Sequence, residues 1–266
     1  MKAIYFISIL LVIGGCATSH KVVAPPPQPG IPIQGKLFAS AYQQLAAEYH
    51  ALCLQAYNLA RMRVDESLQQ VSDKPRAIVT DLDETALDNS PFDVHQSLQG
   101  KDFEAIGWME WTSKAQADTV PGAVTFLKYA ATKGIDIFYI TNRDEKDRTG
   151  TLQNLQHFGF PNADNSHLLV RQNTSGKEER RQQVSATHHI ILLLGDNLSD
   201  FSSLFDKKSY EERLQATKEM APEFGKLFIV LPNPVYGDWE AALYGYNNKF
   251  SIAQKDSVIR RLLKSY

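Results

Sequence analysis

Cysteine is nearly absent from this chain, with two in 266 residues. Two thiols exclude a disulfide-stapled scaffold and a structural zinc site built from four thiolates. A basic excess is also missing: 28 Lys and Arg against 30 Asp and Glu leave a formal charge of −2. No electrostatic footprint for a nucleic-acid polymer is therefore present. What is present is ordinary. Hydrophobic residues make up 43% of the chain and charged residues 22%, the composition of a globular protein with a sizeable core. That excludes a wholly disordered chain, a collagen and a multi-span membrane protein. The length allows one large domain or two small ones.

The apolar run from Ala3 to Ile13, after Lys2, is too short for a normal membrane span but suits the h-region of a secretory signal, here residues 1–15. It ends in Leu-Val-Ile-Gly-Gly-Cys, which resembles a bacterial lipobox with Cys16 as the lipidated residue, although Ile13 stands where that pattern usually has Leu. The plain alternative is signal cleavage near Ala17-Thr18-Ser19. Acylation of Cys16 implies stable membrane anchoring, because several chains on one cysteine hold where a single chain is marginal. Ala17 follows, so the Asp that usually signals inner-membrane retention is lacking. The expected location is the bacterial outer membrane, otherwise periplasmic or secreted. Five of the twelve prolines lie between Pro25 and Pro32, so residues 16–35 read as anchor and stiff spacer. Cys53, left without a partner, reads as an inert buried thiol.

The folded part is expected over residues 36–266. Phe38, Tyr42, Leu45, Tyr49, Leu52, Ala56 and Leu59 recur at alternating spacings of four and three, one face of a helix continuing towards Leu68. Five short apolar runs then read as strands: Arg76–Asp81, Ile135–Thr141, His167–Val170, Ile190–Gly195 and Leu227–Leu231. Helix-compatible stretches lie between them, at Ala123–Lys133, Lys146–Phe158, Lys177–Ala186 and Ser203–Met220. Strands alternating with helices predict an α/β fold with right-handed crossovers and a mostly parallel, Rossmann-like sheet. The strands lack polar alternation, as when helices cover both faces. The aromatic stretch of about 89–119 breaks the rhythm and reads as a small helical cap.

In an open parallel sheet the ligand site lies beyond the carboxyl ends of the strands. After the first strand comes Asp81-Leu-Asp83-Glu-Thr85, after the second Thr141-Asn142-Arg143, and after the fourth Gly195-Asp196-Asn197-Leu-Ser-Asp200. Lys177 opens the helix before that fourth strand. Asp81, Asp83 and Asp196 cannot converge cheaply as bare anions, since like charges at short range raise one another's pKa. A hard divalent cation such as Mg²⁺ relieves this. Thr141, Asn142 and Lys177 suit a phosphoryl group. A carboxylate is a recognised nucleophile in aspartyl-phosphate chemistry, and a second carboxyl two residues on can protonate the leaving oxygen and then deprotonate water. Each piece alone is a common turn, cap or solvated helix face. The signal is their conjunction, in this order, after apolar strand runs.

Ile78-Val-Thr-Asp-Leu-Asp-Glu-Thr-Ala-Leu-Asp-Asn-Ser-Pro-Phe92 and Ile191-Leu-Leu-Leu-Gly-Asp-Asn-Leu-Ser-Asp-Phe201 resemble the two signature segments of the bacterial class C acid phosphatases. This family belongs to the haloacid-dehalogenase superfamily and comprises secreted or lipid-anchored phosphatases, often 5′-nucleotidases. The similarity runs from the lipobox to the region around Pro232–Trp239. It implies a haloacid-dehalogenase-like core, Asp81 as nucleophile and Asp83 as acid/base. It also implies Mg²⁺ held by the Asp81 side chain, the Asp83 main-chain carbonyl and Asp196, with Asp200 supporting the metal. Thr141, Asn142 and Lys177 bind phosphate on this reading, and a homodimer is a further expectation. Two departures, Phe92 for the usual Tyr and Ala86 for a larger apolar residue, bear on the substrate pocket.

The leaving group is read from aromatics that can stack a nucleobase. Trp108, Trp111, Tyr236 and Trp239 are the candidates, with Tyr236 favoured because it follows a strand end in a Pro/Gly-rich loop; core packing or a dimer contact is the plain alternative for each. Two other readings remain at this point. One is a non-catalytic surface lipoprotein that binds a nucleotide or haem. The other is a phosphotransferase that passes the phosphoryl group to an alcohol.

Overall fold

A computed structural model describes residues 30–266. The expectations for the leader, Cys16 and most of the proline-rich spacer lie outside the described residues. Helices α1 (Ile31–Leu45) and α2 (Ala47–Ser67) lead into strand β1 (Arg76–Thr80). Then come β2 (Leu87–Asp88), α3 (Ser90–Leu98), α4 (Ala105–Ser113) and β3 (Asp118–Thr119). Alternation follows: α5 (Ala123–Thr132), β4 (Asp136–Ile140), α6 (Arg148–Phe158), β5 (Leu168–Leu169), α7 (Glu178–Thr187), β6 (His189–Gly195), α8 (Tyr210–Glu219) and β7 (Phe228–Val230). Helices α9 (Asp238–Leu243) and α10 (Ile252–Leu262) come last.

The main sheet has the order β5-β4-β1-β6-β7, and every pairing in it is parallel. This is the mostly parallel, helix-flanked α/β sheet expected from the sequence. The strands are apolar because both faces are covered. In β1, Ile78 joins the cluster containing Tyr57, Leu127 and Ile137, while Ala77 and Val79 join the one containing Val184, Phe201 and Phe228. The chain leaves β1 for β4 on one side and later reaches β6 on the other. The carboxyl end of β1 is therefore the switch point where such sheets open a crevice.

The small antiparallel pair β2–β3 brackets the stretch that carries α3 and α4. Helix α4 lies hard against α6. A Cβ at Gly150 would sit 3.1 Å from the carbonyl carbon of Thr112, so only glycine permits this approach.

The N-terminal region departs from the sequence reading in three ways. Helix α1 starts at Ile31, so residues 31–35, read as spacer, are helical; Pro32 fits because first-turn amides need no intrahelical partner. The single helix towards Leu68 is two helices, broken at Ala46, which is extended (φ −84, ψ 124). The apolar face of α1 also points outward. Phe38 is 80% and Leu45 82% exposed, while Lys36, Ser40 and Gln43 are buried. Polar partners on distant segments draw that side inward: Lys36 meets Asp102 at 2.7 Å and Gln43 meets Asp88 at 2.8 Å. In α2 the buried set is Tyr49, Cys53, Tyr57, Ala60 and Val64. Cys53 is fully buried, and that burial pushes its thiol up to about 11.

Two other helix limits move. The stretch 203–220 divides into a short helical turn, Ser203–Phe205, and α8, with Lys207 at φ 52 between them. Ser209 and Glu212 then cap α8 reciprocally. Residues 145–147 form a separate 3₁₀ turn before α6.

Candidate active site

The carboxyl end of β1 delivers Asp81, whose amide donates to the carbonyl of Leu194 on β6 at 2.9 Å. The loop then folds back sharply. The amides of Ala86 and Leu87 both donate to Leu82 O at 2.8 Å, and Glu84 takes φ 59, a conformation few non-glycine residues adopt. At the end of β6, Gly195 leaves room for Asp200, whose carboxyl carbon would lie 2.7 Å from a Cβ there. Asp81, Asp196 and Asp200 thereby bring carboxylate oxygens within 4.8 Å of one another.

Lys177, at the cap of α7, reaches into this group. Its ammonium pairs with Asp81 and with Asp200, the latter at 2.6 Å. Burial works against the charged amine, and Asp200 and Asp81 more than offset it, raising Lys177 above its ordinary value. Burial pushes Asp81 well above the carboxylate range; Lys177 opposes this, and the charges of Asp200, Asp196 and Asp83 add to it. Asp196 is pushed up to about 7 by burial and then by Asp200, although Asn233 donates to it at 2.8 Å. Thr85 gives it a second hydrogen bond at 3.1 Å. The Arg-rich run after Lys177 is not a solvated face, because Arg180 and Arg181 are buried. Arg181 donates to Asp200 O at 2.8 Å, and Arg180 donates to the Asn142 side-chain oxygen at 2.9 Å.

Asp83 is held differently. Its Oδ1 accepts from Arg143 Nη2 at 2.8 Å, Arg143 Nε at 3.0 Å and Asn89 at 2.9 Å. Its Oδ2 has a long contact from the Thr141 hydroxyl at 3.4 Å. Sequence reasoning quoted Arg143 in its motif but gave it no role, and Asn89, Asn233 and Glu84 were missed. The sequence signal for Asn233 was its place in Pro-Asn-Pro directly after β7; for Asn89 and Glu84 it was their closeness to the first acidic pair.

A cavity of about 810 Å³ opens from this group. Asp81, Asp83, Asn142, Lys177, Asp196, Asp200, Trp108 and Tyr236 line it. Thr141 does not: it is fully buried, and its hydroxyl accepts from the Arg143 amide at 3.1 Å. Arg143 lines the cavity instead, its guanidinium 5.5 Å from the Trp108 ring centre. Trp108 packs against Phe92 and Phe103 with ring centres 5.1 and 6.1 Å away. The Tyr236 hydroxyl donates to Glu84. Trp111 and Trp239 are spent elsewhere, donating to Asn89 at 2.8 Å and to Tyr236 O at 3.0 Å. His188 lies at the amino end of β4, 3.0 Å from Asp136.

The donor set suits a hard cation: clustered, largely buried oxygen ligands, with Lys177 as the cation in contact with Asp81 and Asp200. Residues 27–239 match the family described as HAD superfamily, subfamily IIIB (acid phosphatase). Two solved structures of the class C acid phosphatase from Bacillus anthracis, one with tungstate bound, are 45% identical to this chain. They superpose with a TM-score of 0.85 over 89% of this chain and 99% of theirs. Acid phosphatase 1 of Solanum lycopersicum is 26% identical over 166 residues, 59% of this chain and 57% of the tomato protein.

Proposed function

The chain belongs to the acid phosphatases of HAD subfamily IIIB, and from that premise we propose that it hydrolyses phosphomonoesters, nucleoside 5′-monophosphates among them, through a phosphoaspartate on Asp81 with Mg²⁺ as cofactor. One observation carries the reading: Asp81 stands buried at the sheet's switch point, with Asp83 two residues on and Lys177 in contact. A binder without catalysis has no use for that arrangement. Tungstate in the Bacillus anthracis relative supports a pocket for a tetrahedral oxyanion.

In the first step Lys177 and Asn142 hold the phosphoryl oxygens while an Asp81 oxygen attacks phosphorus. The bond to the leaving oxygen breaks, and Asp83 supplies the proton that makes it an alcohol. Arg143 and Asn89 occupy Oδ1 of Asp83, so Oδ2 is the oxygen left to carry that proton. In the second step Asp83, now a base, takes a proton from water. The hydroxide attacks phosphorus, the acyl-phosphate bond breaks, and phosphate leaves with Asp81 regenerated. Asp81 and Asp196 would hold Mg²⁺, with the Asp83 carbonyl completing the set by resemblance and Asp200 behind it. Such an ion would supply positive charge against the transferring phosphoryl group and would favour the ionised form of the buried Asp81.

Trp108 and Tyr236 line the cavity, and stacking of a base on either ring would favour nucleosides among leaving groups. The test is phosphate release from nucleoside monophosphates, sugar phosphates and aryl phosphates, with Mg²⁺ and with chelator. The expected result is hydrolysis that chelation abolishes and Mg²⁺ restores. Absence of phosphate release from every ester would overturn the reading, and chelator-resistant hydrolysis would remove its metal.

A further inference from the structure

One part of the cavity wall, outside the Asp81 group, is built by segments far apart in the chain. Lys36 comes from α1, Asp102 from the turn before α4, Glu240 from α9 and Lys255 from α10; all four line the cavity. Lys36 Nζ lies 2.7 Å from Asp102 and 3.5 Å from Glu240, and Lys255 Nζ lies 2.5 Å from the other Asp102 oxygen. Two ammonium groups thus meet two carboxylates. Their side chains are 10 to 23% exposed, so water competes little for them.

This tetrad is tied directly to the aromatic side of the cavity. The amide of Phe103 donates to the same Asp102 oxygen that Lys36 binds, at 2.9 Å. Phe103 packs on Phe92 and Trp108. On the other flank the Lys255 ammonium lies 5.2 Å from the Tyr244 ring centre, and the Tyr244 hydroxyl donates to Glu240 at 3.3 Å. A buried, self-neutralised ion network adds little net stability over apolar packing, but it admits few alternative geometries.

We infer that Lys36 is a positioning residue for substrate choice: through Asp102 it pins Phe103 and Trp108 in the wall that meets the alcohol part of the ester, and so favours large planar leaving groups over small ones. The inference rests on the proposed phosphomonoesterase reading. Full-length chain with Mg²⁺ is assayed as wild type, Lys36→Met and Lys36→Arg on a nucleoside monophosphate, 4-nitrophenyl phosphate and ethyl phosphate. Lys36→Met should raise KM for the two planar esters about tenfold, the scale of one lost stacking partner, with kcat changed less than about threefold. For ethyl phosphate kcat/KM should fall less than about threefold, and Lys36→Arg should recover most of the loss. Equal proportional losses on all three esters, or none, would overturn the inference. If Lys36→Met lacks a cooperative melt, Lys255→Met, which leaves Asp102 paired with Lys36, should raise KM for the two planar esters about threefold while kcat and the ethyl phosphate kcat/KM change by less than about 1.5-fold. Wild type that spares nucleotides but cleaves 4-nitrophenyl phosphate refutes the nucleotide reading alone, and the aryl-to-ethyl ratio then decides on Lys36.

Discussion

The two ends of the cavity use the same side-chain chemistry to opposite effect. At the sheet end, Asp81, Asp83, Asp196 and Asp200 face Lys177 and Arg143, leaving carboxylates in excess. At the far end, Lys36 and Lys255 match Asp102 and Glu240 one for one. The pKa directions follow. Asp81 and Asp196 are driven up, whereas at Asp102 the ammonium groups of Lys36 and Lys255 outweigh burial and hold the carboxyl well below its usual range. The unbalanced end suits a hard cation and, on the proposed reading, a reacting group; at the other end two ammonium groups meet two carboxylates, with the Asp93 carboxyl beside them.

The contrast breaks first if Asp81 is dispensable. Asp81→Asn keeps the volume but removes the attacking charge, and steady-state phosphate release should fall about a thousandfold while the melting transition persists. Retention of more than a few per cent of activity would reject Asp81 as the nucleophile. A smaller effect separates phosphate recognition from leaving-group recognition. Tyr236→Ala should lower kcat/KM for nucleotides roughly 5- to 30-fold and for a small alkyl phosphate much less. Equal losses would make the Tyr236–Glu84 contact a packing element and leave Trp108 as the stacking face.

The smallest effect is one of stability and concerns Asp93, which lines the cavity beside the balanced end. Burial pushes its carboxyl up to about 7 against the pull of Lys36, and its Oδ2 has no hydrogen-bond partner. A carboxyl raised on folding binds a proton that the unfolded chain has lost. Its stabilising excess is therefore full below the ordinary carboxylate range and is lost as pH rises through about 7. With saturating Mg²⁺ holding the other end charged, the wild-type melting temperature should drop between pH 5 and pH 8, and Asp93→Asn should remove about 3 °C or more of that drop. A parallel pair of melting curves would show that Asp93 does not titrate there.

The sheet and its acidic end were legible because both follow local rules. The runs around Ile78, Ile137, Leu192 and Ile229 are apolar on both faces, which marks covered parallel strands. Asp81, Asp196 and Asn142 stand where such strands end. The balanced end was illegible because it is non-local. Lys36 adjoins a proline-rich stretch, its partners Asp102 and Glu240 lie 66 and 204 positions along the chain, and Lys255, which shares Asp102 with it, lies 219 positions along. The same cause applies to α1, where period groups Phe38 and Leu45 on one helix face, but polar contacts on distant segments turn Lys36 and Gln43 inward and leave that face exposed. Thr141 stands at the strand end as its position in the sequence implies, with its hydroxyl turned to the Arg143 amide and Asp83, while Arg143 takes the cavity position that its neighbours in the sequence did not mark.

Helix α1 is also fastened to α10. The Ile31 amide donates to Asp256 across 225 positions, and a Cβ at Gly30 would touch Ile252. Contacts of such sequence separation form late, since the loop they close carries a large entropy cost. A chain emerging amino end first can assemble β1, β4 and β6 with their carboxylates before α10 exists. The acidic crevice is then present without its far wall. Completion of the cavity is thus a timing event: the carboxylates of the crevice precede α10 in the chain, and the wall proposed to meet the alcohol waits for that helix.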